Sequence, residues 1–147
     1  MLLLTELLHR SCSTVVPGKL DELVNVSVCD RNDEVCMSGE RDSCGDGKLF
    51  HQNIVNKVSA EAQESNIDWY EWKEDSGGFL SKCSCNGTIV DALNALVGKL
   101  PHFLWHTFVK NKQSALYESH KQMAQTENDQ CVIQMDFAEN YTITYQD

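Results

Sequence analysis

Between Thr88 and Tyr145 the hydrophobic period of this chain changes from helical to strand-like. Leu93, Leu96, Val97 and Leu100 recur at helical spacing, whereas Cys131-Val132-Ile133-Gln134-Met135-Asp136 and Tyr141-Thr142-Ile143-Thr144-Tyr145 carry a strand pattern. Ala138-Glu139-Asn140 lies between those two runs as a turn. A two-stranded hairpin is marginal in water, so these strands require a larger sheet than residues 125–147 supply. The expectation is a truncated sheet domain whose exposed apolar edge promotes aggregation or pairing with another chain.

Upstream, residues 1–48 are acidic and turn-rich, with breaks at Pro17-Gly18 and Gly45-Asp46-Gly47. Met1-Leu2-Leu3-Leu4 opens a short amphipathic helix or a ragged start. Residues 49–64 predict a helix on Leu49, Ile54, Val58 and Ala62. Ile67 to Trp72 predicts a strand, bounded by Gly77-Gly78, with Phe79 to Cys85 returning as its partner. Thr88 and Asp91 have the spacing of a capping box and open a second helix. Pro101 starts a third, where its missing amide costs little. That helix runs to about Met123, with Phe103, Leu104, Phe108 and Leu116 toward a core and Lys110, Lys112 and Lys121 outside. The fold class is therefore α+β, in three parts: an acidic region over 1–48, a mixed helix and strand domain over 49–124, and a sheet domain opening at 125.

Charge and cysteine content restrict the partners. A net charge of −10 disfavours a surface that grips nucleic acid throughout. The acidic residues concentrate between Asp21 and Asp46, where eight face only Arg31 and Arg41. From Lys99 to Lys121, four lysines and three histidines stand against Glu118 alone, so Lys110 and Lys112 are the candidates for weak phosphate contact; a solvated helix face is the competing reading. No run reaches the roughly 18–20 apolar residues of a membrane span. Export signals are missing as well, so the seven cysteines are expected as reduced thiols or metal ligands rather than disulfides.

Two metal sites suggest themselves. Asp136 ends an apolar strand immediately before a turn, where a carboxylate needs a cation or a backbone amide; Mg²⁺ ligation and turn capping both satisfy it. Cys36-x7-Cys44 and Cys83-x-Cys85 offer four thiolates to Zn²⁺, although typical zinc pairs are separated by two to four residues; ordinary buried thiols are the alternative. His102 and His106 share a helical face, but Phe103 stands where a zincin Glu would be, and surface histidines are the simpler reading. Phosphate-loop and nucleophile-elbow motifs do not occur.

The block CVIQMDFAENYTITYQD resembles transposon-derived animal proteins with DDE-transposase-like, RNase H-like catalytic domains. The Cys36 to Cys44 segment, the Trp69 and Trp72 strand, Phe103-Leu104-Trp105-His106, Val109-Lys110 and Gln113 follow in the same order as in that family. The likeness spans roughly residues 35 to 147. It implies an RNase H-like domain beginning with the terminal hairpin, a nuclear protein, and Asp136 as the first catalytic metal ligand. The family segment often carries another Cys inside the first pair, near the place of Arg41 here. Two-metal phosphoryl transfer needs several carboxylates from separate elements. Glu139, on a turn, and Asp147, at the chain end, are poor substitutes. The expectation is thus a transposase-like protein, inactive alone and ancestrally DNA-directed, with a zinc-stabilised or DNA- or protein-binding module as the alternative. A secreted disulfide protein, suggested only by the cysteines and the Asn-x-Ser/Thr triplets at Asn25, Asn86 and Asn140, is a third reading.

Overall fold

A computed structural model describes residues 2–11, 15–74, 76–127, 129 and 131–133. In chain order the elements are α1 (Leu2–Ser11), α2 (Leu20–Ser27), α3 (Glu34–Met37), α4 (Lys48–Asn53), α5 (Ala60–Gln63), β1 (Asn66–Glu74), β2 (Leu80–Thr88) and α6 (Ile89–Thr126). Short 3₁₀ turns at Gly45–Gly47 and Val55–Lys57 join the pieces around α4. The expected α+β class holds: helices accompany one antiparallel hairpin among the described residues. The chain divides into two compact units, Met1–Val109 and Lys110–Asp147.

Within the first unit the hairpin pairs Asn66 with Thr88 through Glu74 with Leu80. Strand alternation then separates the faces. Trp69 is buried and Ile67 and Glu71 are half-buried, while Tyr70 and Trp72 are exposed. At the end of β2 the expected capping box forms. The Thr88 amide donates to Asp91 Oδ2 at 2.8 Å, and the Asp91 amide donates to Thr88 Oγ1 at 3.2 Å.

Two expected helix boundaries differ. Pro101 does not start a new helix but lies inside α6. An interior proline costs about 3 kcal/mol through its lost amide and its clash with the preceding turn. Leu93, Leu96, Leu100, Leu104 and Phe108 form one buried stripe across that position. At roughly 1.5–3 kcal/mol per buried side chain, their packing outweighs the proline. Conversely, the single helix expected over 49–64 is broken into α4, the Val55–Lys57 turn and α5. Ile54 leaves helical geometry at φ −120° and ψ −68°, and Asn53 Nδ2 donates to Val26 O at 2.9 Å, tying α4 to the end of α2. Ser59 caps α5 by accepting from the Ala62 amide. Of the four expected apolar positions, Ile54 and Val58 are buried in the core, while Leu49 and Ala62 are only partly buried against it; Phe50, not among them, is fully buried.

The acidic residues 1–48 are also substantially helical. Leu4, Leu8, Val16 and Leu23 join Phe50, Trp69, Leu93, Leu96 and Leu100 in one apolar cluster. A second cluster gathers Val24, Val28, Cys36, Met37, Cys44, Leu104 and Phe108. In the second unit the helical residues from Lys110 onward are mostly exposed. Leu116, expected to face a core, is 58% exposed. The terminal hairpin pattern lies outside the described residues beyond Ile133, and Asp136 with it.

Candidate metal centre

The loop between α2 and α4 folds back on itself through a sequence of local devices. After α2, Val28 is buried in extended conformation and Cys29 emerges exposed. Asp30 accepts from the Asn32 amide at 2.8 Å, and Asp33 caps α3 by accepting from the Val35 amide at 2.9 Å. One turn of helix then carries Cys36 and Met37 into the second apolar cluster. Gly39, at φ +84°, reverses the chain. The Glu40 and Arg41 amides both donate to Val35 O at 3.1 Å, and the Cys44 amide donates to Arg41 O at 3.1 Å. Arg41 also pairs with Asp33. Gly45 packs against Gly39 so closely that any Cβ there would collide with the Gly39 carbonyl oxygen.

This folding brings the sulfur atoms of Cys29, Cys36 and Cys44 within 4.8 Å of one another. Tetrahedral zinc with Zn–S bonds of about 2.3 Å places its sulfurs about 3.8 Å apart, so small movements would close the set around one ion. Cys36 and Cys44 are buried and Cys29 is exposed, which leaves one side of the cluster open to solvent. Electrostatics divide the thiols similarly. Ser43 Oγ, 3.3 Å from the Cys29 sulfur, lies first among the groups that lower the Cys29 thiol below its ordinary range; the Cys44 thiol and the Arg41 guanidinium add to it. Burial pushes the Cys44 thiol up. A bound cation would reverse that second effect, since metal ligation deprotonates thiols. Three converging thiols can hold a metal ion, and an open fourth position suits water or another ligand.

The sequence-derived site residues are thus only partly assembled. Cys36 and Cys44 lie together, with Cys29 as a third partner. Cys83 and Cys85 do not join them. They lie on β2 opposite Glu71 and Trp69, and Cys85 packs against the first apolar cluster, not the second. Strand pairing therefore commits them to the hairpin. His102 and His106 are exposed on α6 and belong to no group of three donors among the described residues. Lys110 and Lys112 are exposed as well. Two residues apart on a helix, they do not face each other. Cys29 was the residue missed. It stands seven before Cys36, much as Cys44 stands eight after it, but neither spacing matches a standard zinc motif.

Fold and site together define a small α+β unit with a thiolate cluster that can hold a metal ion. No family model, curated protein or solved structure matches the chain. Among the described residues no helix is long and apolar enough to cross a membrane.

Proposed function

We propose that this chain is a non-catalytic binding module stapled by zinc at Cys29, Cys36 and Cys44, and that it is transposase-like in origin. The convergence of three sulfurs within 4.8 Å carries the first half. Thiolates select soft or borderline ions, which favours Zn²⁺ over Mg²⁺ at this place. The metal would tie together the end of α2, α3 and the turn at Cys44, so its binding would be coupled to the folding of this loop.

Metal analysis of protein purified without chelator tests it. About one zinc per chain is expected, with a thiolate-to-metal charge-transfer band after cobalt substitution. Cys29→Ser, at an exposed position, lowers the metal content, and Cys83→Ser leaves it unchanged. Zinc binding indifferent to both Cys29→Ser and Cys36→Ser would remove this reading.

The transposase-like half rests on the ordered resemblance from the Cys36 segment to the block ending at Asp147. In it, Asp136 is one Mg²⁺ ligand of an incomplete RNase H-like site, Lys110 and Lys112 give weak, salt-sensitive DNA contact, and the protein is nuclear. The chain alone then cleaves no DNA with Mg²⁺ or Mn²⁺. Metal-dependent cleavage abolished by Asp136→Ala would show that the site is complete after all.

A further inference from the structure

Beside the thiolate cluster, α3, the turn that follows it and α6 border an open cavity of about 400 Å³ lined by Glu34, Val35, Ser38, Glu40 and Trp105. Its chemistry is unusual for an uncommitted surface. Trp105 is 42% exposed and Val35 44% exposed, yet two carboxylates stand beside them. Neither Glu34 nor Glu40 makes an ion pair with a described residue, and Arg41, next to Glu40 in sequence, is engaged by Asp33.

The walls are held in place. Trp105 stacks on Phe108 with ring centroids 5.7 Å apart and planes inclined by 24°. Phe108 is buried in the cluster that contains Cys36, Met37, Cys44 and Leu104. On the opposite wall, Val35 O accepts from the Glu40 and Arg41 amides, fixing Glu40 against the end of α3. The same apolar cluster therefore anchors both the indole and the carboxylate-bearing turn, so little ordering remains for a ligand to impose.

We propose that this cavity receives an arginine side chain from a basic peptide segment. A guanidinium lies flat on an indole and presents a fork of N–H donors to carboxylates, which a compact ammonium cannot match. A phosphate is repelled by the same two carboxylates, and an apolar ligand would strip them of water without replacing it. The surrounding charge favours the same partner. Eight acidic residues between Asp21 and Asp46 against two arginines attract basic segments from a distance. The inference deepens the binding-module reading by naming its partner chemistry and rests on that reading for its role.

The test titrates the full chain with a capped peptide carrying two arginines and no acidic residue, read by calorimetry and tryptophan fluorescence. The same peptide with citrulline in place of arginine is the neutral control. Arginine peptide is expected to bind at least about tenfold more tightly than the control, and more weakly as salt rises. The Glu34→Gln/Glu40→Gln double variant and Trp105→Ala each lose about tenfold. Trp105→Phe, which keeps an aromatic wall, loses less and guards against a folding artefact. Absence of binding, equal binding of the citrulline peptide, or unchanged affinity in both variants would overturn the proposal. Metal content measured on the same samples separates the two claims. Loaded protein that ignores the peptide sinks only the arginine site, and peptide binding by metal-free protein sinks only the staple.

Discussion

Glu71 shows how one residue can tie the hairpin to α6. Trp69 Nε1 donates to its carboxylate at 3.0 Å, and Lys99 and Lys73 approach at 3.8 Å each. The indole donor first, then the two lysines, hold the carboxyl below the usual glutamate range. A depressed value means that folding favours the ionised form. The contribution is therefore complete above the ordinary glutamate range and disappears as pH falls through the lower, folded value. Urea unfolding across that acidic range should show wild type losing about 1 kcal/mol more than Glu71→Gln, which has no charge to lose. Parallel pH curves for the two proteins would contradict it. Gly45 illustrates a different residue-scale constraint, because its close contact is with backbone, which cannot swing aside as a side chain could.

At the level of elements, α6 records a competition between local preference and packing. Its first turn is set by the Thr88–Asp91 box and its interior tolerates Pro101 because the apolar stripe continues on both sides. Pro101 is itself exposed, so its ring adds little to the core. Pro101→Ala should restore an amide donor to the Val97 carbonyl and raise stability by up to about 3 kcal/mol, seen as a higher Tm. A fall in Tm would mean that the proline fixes a bend the packing requires. The hairpin is the opposite case. Aromatic residues bounded by Gly77-Gly78 made its two strands legible, and its register buries Trp69 while leaving Trp72 exposed.

For the whole molecule, both buried apolar clusters found among the described residues lie in the unit Met1–Val109. Leu96 is fully buried there, whereas Leu116 in the second unit is 58% exposed. Leu96→Ala should cost about 2–5 kcal/mol in urea unfolding. Leu116→Ala should change it by no more than about 0.5 kcal/mol. Comparable losses at the two positions would show that the second unit has a core of its own. Local pattern was enough for the α+β class, the capping box, the two strands and the apolar stripe of α6, because each depends on residues a few positions apart. It was insufficient for the break at Ile54, where a side chain from α4 reaches the end of α2, and for the passage of the helix through Pro101. Nor could spacing select Cys29 over Cys83 and Cys85. Which thiols meet depends on which apolar cluster each flanking element enters, and that choice is made only when the chain packs.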